Sequence, residues 1–143
     1  MKKITPFLWF DKQAEEAMNF YVSVFKNSKV LSVSPMVVRF ELNGQEFVGL
    51  NGGPGFPFTE AVSFVVNCDT QQEVDDYWTK LTAGGGKPGR CGWLKDKFGL
   101  SWQVVPTVLG QLLQDPQKSK RVMDAVMQMD KLEIARLQQA AQG

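Results

Sequence analysis

Ala61-Val62-Ser63-Phe64-Val65-Val66-Asn67-Cys68-Asp69-Thr70-Gln71-Gln72-Glu73 is the stretch from which the fold can be read. Residues 61–67 are mostly apolar and of strand length, which suits a buried strand. Thr70 stands three residues before Glu73, the spacing of a capping box, in which hydroxyl and carboxylate satisfy first-turn backbone amides. The helix so opened carries Val74, Tyr77, Trp78 and Leu81 on one face, and Ala83-Gly84-Gly85-Gly86 ends it. Strand material returns at 89–95 and 100–105, parted by a turn over 96–99.

The residues before this stretch have the same order. Residues 4–10 read as a strand, and Asp11 is placed to cap a helix. Ala14, Ala17, Met18, Tyr21, Val24 and Phe25 form its buried stripe, ended by Asn27 and Ser28. Three strand-like runs follow at 29–33, 36–42 and 45–51. Asn43-Gly44, between the last two, is a hairpin signal because both residues tolerate positive φ. Gly52-Gly53-Pro54-Gly55 with Pro57 then breaks the chain. Asp11 and Thr70, about 60 residues apart, each follow a strand, and the matched order of elements predicts a duplicated unit.

A tail completes the chain. Asp115-Pro116 is a cap followed by an N1 proline, and Val122, Ala125, Val126 and Met129 supply an apolar face. Asp130-Lys131-Leu132-Glu133 opens a last helix, predicted to run to about Gln139. These helices suit either packing on the chain's own sheet or a contact with a second copy. The predicted organisation is a first module over 1–55, a second over 56–108 and amphipathic helices over 109–143.

The bulk numbers narrow the class. The chain has 143 residues, 43% hydrophobic and 22% charged, enough apolar mass for a core. Net charge is +1, without long like-charge runs, so no large nucleic-acid or membrane patch is expected. Lys118, Lys120 and Arg121 read as a solvated helix face. Two cysteines without paired spacing, Cys68 and Cys91, argue against a disulfide scaffold or a structural zinc site. The apolar run from Ile4 stops at Asp11, too short for a signal peptide, and the expected location is cytoplasmic.

Several stretches together carry a family resemblance: residues 4–11 with Ala14-Glu15-Glu16-Ala17 and Phe20-Tyr21, Gly44-Gln45-Glu46-Phe47 with Asn51-Gly52-Gly53, and residues 63–68. The longest is Cys91-Gly92-Trp93-Leu94-Lys95-Asp96-Lys97-Phe98-Gly99-Leu100-Ser101-Trp102-Gln103-Val104-Val105-Pro106. With Arg121-Val122-Met123 in the tail, the chain resembles the PhnB-like, 3-demethylubiquinone-9 3-methyltransferase-like branch of the glyoxalase/bleomycin-resistance (vicinal oxygen chelate) superfamily over nearly its whole length. The resemblance implies an α+β fold of paired βαβββ modules, each a curved mixed sheet cupping a pocket, commonly as a dimer. One departure is the two-residue connection Ser34-Pro35, where relatives usually carry a longer, flexible loop, which counts against a lid role there.

The same resemblance implies, in metal-dependent members, His, Gln and Glu ligands on four strands. This chain has no histidine. The expected ligand positions near residues 4–6, 61–63 and 51–53 hold no carboxylate or imidazole, although Glu60 stands just outside. Gln103 alone falls where a ligand belongs, and one amide oxygen does not hold an ion. No metal and no cofactor are expected.

Strand alternation supplies a candidate pocket. With Val62, Phe64 and Val66 turned to the helix, Ser63, Val65 and Asn67 face the cup. Parity adds Thr5, Phe7 and Trp9, Arg39 and Glu41, Phe47, Gly49 and Asn51, Trp93 and Lys95, and Gln103. The expected ligand-binding residues are Phe7, Trp9, Arg39, Asn51, Ser63, Trp93, Lys95 and Gln103, an aromatic cup with few polar groups. The alternative is a sheet face turned to solvent or to a second copy. Arg39 and Glu41 suit either a carboxylate clamp or a mutual pair. Without histidine, a Ser-His-Asp or Cys-His nucleophile is excluded.

The expected function is a metal-free module that binds or sequesters a small, partly aromatic ligand as a homodimer. Alternatives are an isomerase, lyase or dioxygenase of the superfamily, a methyltransferase-like activity, or an interaction protein acting through its tail.

Overall fold

The computed structural model describes residues 3–143. The chain divides into two compact units, the first ending at Pro57 and the second spanning Phe58–Gly143. In the first, β1 (Phe7–Phe10), α1 (Ala14–Val24), β2 (Lys29–Val33), β3 (Val37–Leu42) and β4 (Gln45–Asn51) follow in order. In the second come β5 (Ser63–Cys68), α2 (Gln71–Thr82), β6 (Lys87–Pro88), β7 (Trp93–Lys95) and β8 (Ser101–Pro106), then α3 (Val108–Leu113), α4 (Pro116–Val126) and α5 (Ile134–Gln142).

The duplication is visible in the pairing. One sheet has the order β1-β4-β3-β2 and the other β5-β8-β7-β6. In each, the outer strand before the helix pairs parallel with the last strand, and the remaining pairs are antiparallel. These are two open, mixed sheets of one α+β design, as the matched order of elements predicts.

In the first unit, Leu8, Phe10, Val38, Phe40, Leu42 and Phe47 are buried with Ala14, Ala17, Met18, Tyr21 and Val24 of α1. Phe40 stacks on Phe47 at 5.5 Å and faces Tyr21 at 6.2 Å. Asn43 and Gly44 both take positive φ, as the hairpin requires, and pair Leu42 with Gln45. Burying side chains of this size contributes about 1.5–3 kcal/mol each.

Two local expectations change here. Asp11 does not cap α1, which starts at Ala14 with Gln13 as the flanking residue. The Ala14 amide instead donates to Asn51 Oδ1 at 2.8 Å, and Asn51 Nδ2 donates to the Pro35 carbonyl at 3.0 Å. Asn51 therefore lies on the helix-covered face and joins three segments. Phe47 and Gly49 share that face, since a Cβ on Gly49 would meet Val38, Ala14 and Phe10. The open-face assignment of Phe47, Gly49 and Asn51 is thus corrected. Glu46, Val48 and Leu50 alternate with them instead.

In the second unit α2 begins as its sequence dictates, with Thr70 Oγ1 accepting from the Glu73 amide at 3.2 Å. The Glu73 carboxylate takes the Asp69 amide at 3.0 Å rather than that of Thr70. Residues 89–95 do not form one strand. Cys91 and Gly92 both have positive φ, and this turn separates β6 from β7. Val62, expected beneath the helix, precedes β5 and is exposed.

The tail packs within its own unit. Val122, Val126, Met129, Leu132, Leu137 and Ala141 form a buried cluster, with Cys91 packed against it. Asp115 caps α4 through the Gln117 amide at 2.9 Å. Gln71, at the start of α2, accepts from the Ile134 amide at 2.7 Å and donates to the Leu132 carbonyl at 3.1 Å, so it caps α5 from another helix. Lys131 pairs with Asp75 at 2.8 Å and, with Gln71, holds that carboxyl below the usual range. Arg121 does not project freely into solvent: its guanidinium donates to the carbonyls of Ala140 and Ala141 that close α5, at 3.1 and 2.9 Å. Among the described residues no helix is long and apolar enough to cross a membrane.

The two thiols differ sharply. Cys68 is fully buried, and burial, followed by the charges of Glu73 and Asp69, pushes its thiol up to about 12. Cys91 is partly accessible. At pH 8 a thiol reagent is expected to label Cys91 first, and Cys68 only at the rate of unfolding. Equal labelling rates in the native protein would contradict this burial. The unfolded thiol ionises near pH 8.5 while the folded one stays protonated, so Cys68 removes stability as pH rises above that value.

Candidate functional site

Alternation along the second sheet puts Val66, Cys68, Leu94, Trp102 and Val104 in the core. The opposite face carries the polar residues. Register aligns Ser63 with Ser101, Ser101 with Lys95, and Lys95 with Lys87, a single row across four strands. A second row aligns Val65, Gln103 and Trp93. Gln103 Nε2 joins the rows by donating to Ser63 Oγ at 2.9 Å. Ser63, Trp93, Lys95 and Gln103 are thereby brought together, as strand parity predicts.

Beside them lies a hollow of about 550 Å³, lined by Glu60, Lys87, Arg90, Trp93, Lys95 and Ser101 among others. This is the size of a small-molecule site. Lys95 Nζ pairs with Glu60 Oε1 at 2.5 Å. The hydrogen bond from Lys95, then the Glu60 backbone, then the Lys95 charge hold the Glu60 carboxyl below its ordinary value. The pair therefore persists until pH falls through that lowered value; being exposed, it contributes little to stability. Arg90 reaches the Met127 carbonyl at 3.4 Å and Asp130 at 3.8 Å, which fixes it at the rim. Ser101 is 1% exposed, and its Oγ has no hydrogen-bond partner among the described residues.

Glu60, Lys87, Arg90 and Ser101 were not legible as site residues. Glu60 precedes the strand, and Arg90 lies in the turn whose positive φ at a cysteine has no sequence signal. Ser101 could have been found, because pairing across the 96–99 turn puts it in register with Lys95, whereas Lys87 meets Lys95 across the unsignalled turn between β6 and β7.

The first unit's candidates are arranged differently. Phe7, 59% exposed, Trp9 and Arg39 lie on the face of their sheet away from α1. Trp9 Nε1 donates to the Gly53 carbonyl at 2.8 Å, and its ring meets Phe56 edge-on at 4.9 Å. A Cβ on Gly52 would collide with that ring, so glycine lets the linker lie flat on Trp9. Arg39 binds Glu46 Oε2 through Nε at 3.1 Å and Nη2 at 2.8 Å, while Glu41 pairs with Lys29. Arg39 and Glu41 thus pair with Glu46 and Lys29 and not with each other. Asn51 is on the other face.

A divalent ion does not fit the donors present. Among the described residues no group of three or more His, Cys, Asp or Glu side chains could hold one. Gln103 Nε2 donates to Ser63 Oγ, and the Glu60 carboxylate is paired with Lys95.

The family described as 3-demethylubiquinone-9 3-methyltransferase matches residues 2–105. The PhnB protein of Bacillus cereus is 37% identical, covering 74% of this chain and 100% of its own, with a TM-score of 0.70. A glyoxalase-related enzyme from Fulvimarina pelagi is 15% identical over 76% of this chain and 91% of its own, at TM-score 0.54. A glyoxalase/bleomycin resistance protein/dioxygenase family enzyme from Burkholderia phytofirmans is 11% identical over 71% and 95%, at 0.52. The last two show the fold alone. No curated protein matches the chain.

Proposed function

Because the chain belongs to the 3-demethylubiquinone-9 3-methyltransferase family, a PhnB-like chain of glyoxalase/bleomycin-resistance fold, we propose that it binds or sequesters a small, partly aromatic molecule without a metal, as a homodimer. The observation that carries this reading is the hollow on the second sheet, where Trp93 offers an aromatic surface beside Lys95 and the buried Ser101 hydroxyl. Ser63 and Gln103 lie on the same sheet face, beside the lining residues. A pocket that pairs one aromatic wall with a few fixed polar groups selects by shape and hydrogen bonding.

The family's methyltransferase description does not transfer to these residues. Gly52-Gly53-Pro54-Gly55 leads towards strand β5 and not into a helix. A glycine loop for S-adenosylmethionine sits between a parallel strand and a helix N-terminus. Trp9 covers this segment instead.

Ligand-observed NMR and thermal shift with a library of aromatic small molecules test the proposal. Binders are expected that shift the Trp93 indole, that lose at least about tenfold in affinity in Trp93→Ala, and that bind equally in chelator. Sedimentation of the same sample is expected to give twice the chain mass. A library without any binder sensitive to Trp93 overturns the ligand reading. Binding abolished by chelator favours a metal-assisted enzyme.

A further inference from the structure

The lining of the hollow carries excess positive charge even with Arg90 paired to Asp130 outside it. Lys87, Arg90 and Lys95 line it with a single carboxylate, Glu60. That carboxylate comes from the irregular segment ahead of β5 and rests on Lys95 with 61% of its side chain exposed. Next to Lys95 in the same row is Ser101, buried and without a partner for its Oγ. A buried hydroxyl left unpaired is destabilising, and each such group calls for an explanation. Ser101 is among the residues that line the same hollow as the two lysines.

Resting on the small-molecule reading above, we infer that the hollow is an organic-anion site, in which a flat acid's carboxylate displaces Glu60 from Lys95. The incoming carboxylate accepts from Lys95 and from the Ser101 hydroxyl, with Lys87 adding charge from the next strand. The apolar body of the acid lies on Trp93. Glu60 is then the chain's own occupant of the anion position, holding Lys95 in place until an acid arrives. A neutral ligand of the same shape gains none of this, because it leaves the Lys95–Glu60 pair intact. Charged hydrogen-bond partners are roughly twice as strong as neutral ones, so the acid is favoured.

Benzoate and benzamide, alike in shape and different in charge, separate these cases. Each is titrated into the full chain, wild type and Glu60→Gln, following the indole resonance that Trp93→Phe removes. Benzoate is expected to bind about tenfold more tightly than benzamide. Glu60→Gln is expected to tighten benzoate about fivefold and leave benzamide unchanged. Added salt is expected to weaken benzoate only. If benzamide binds as well as benzoate and Glu60→Gln alters neither, the anion site is refuted while the small-molecule reading stands. The same holds if neutral aromatic compounds bind at Trp93 and benzoate does not. If no aromatic compound of either kind reaches Trp93, both readings fall together.

Discussion

Asp96→Ala is expected to lower the unfolding free energy by about 4 kcal/mol, read as a drop in urea midpoint with unchanged slope. The carboxylate is 3% exposed, and each of its oxygens is used. Oδ1 accepts from the Phe98 amide at 2.8 Å and the Leu100 amide at 3.1 Å; Oδ2 accepts from Trp102 Nε1 at 2.8 Å. Hydrogen bonds to a charged group contribute about 1.5–3 kcal/mol each, and alanine strands three donors in place of water or carboxylate. The loss is not additive, because the turn opens and rehydrates part of them. Asp96→Asn keeps one carbonyl oxygen for the two amides but aims its own N–H groups at Trp102. About half the loss is expected, with the indole emission shifted to the red. A midpoint change in Asp96→Ala worth less than about 1 kcal/mol would show that this carboxylate does not hold the β7–β8 turn.

That turn was visible in the sequence as a place where the chain reverses, and so were most elements bounded by local chemistry. Thr70, Asn43-Gly44 and Asp115-Pro116 act within a few residues of themselves, so their effects survive into the fold. The family resemblance was legible from the long motif at 91–106. What failed were assignments that depend on partners far along the chain. Asp11 looked like a cap, but the amide it would have served is taken by Asn51, 37 positions from Ala14. The face of β4 follows from its hairpin register and not from alternation within the strand. A two-residue turn at Asn43-Gly44 pairs Leu42 with Gln45, hence Phe40 with Phe47 and Arg39 with Val48. If Arg39 and Glu41 face outward, Phe47 and Asn51 cannot. Alternation within β4 groups Phe47, Gly49 and Asn51 together but leaves their side open, and register with β3 decides it.

The candidate site divides along the same line. Ser63, Trp93, Lys95 and Gln103 followed from alternation within single strands, and register unites them on one face. Glu60 and Arg90 come from irregular backbone, where no periodicity operates. The reading of Lys95 changes most. Alone it was one polar residue in an aromatic cup; in the fold it is bound by the chain's own carboxylate, and its neighbours in the row are a second lysine and a buried hydroxyl.

Gly86→Ala is expected to cost about 3 kcal/mol, although the change adds one methyl group. A Cβ there would lie 2.7 Å from the Lys95 carbonyl oxygen, 2.7 Å from Thr82 Cα and 2.8 Å from the Thr82 oxygen. All three neighbours are backbone, so no side chain can turn aside. Either the end of α2 or strand β7 must move, and both are tied to the core through Leu81 and Leu94. Gly110 in α3 gives the contrast, since no atom lies within 4 Å of its Cβ position and helix propensity favours alanine. Gly110→Ala is expected to be neutral or to stabilise by up to about 1 kcal/mol. Thermal melts of the two variants make the comparison, and equal Tm values would mean that α2 and β7 are free to separate. The consequence reaches the hollow, because the atom pressed by the new methyl belongs to Lys95. Moving that backbone shifts the ammonium group relative to Ser101 and Glu60. Gly86→Ala is therefore expected to weaken benzoate more than it weakens benzamide, at temperatures well below its own melting transition. Equal weakening of both would place the damage in the aromatic wall and leave the anion position intact.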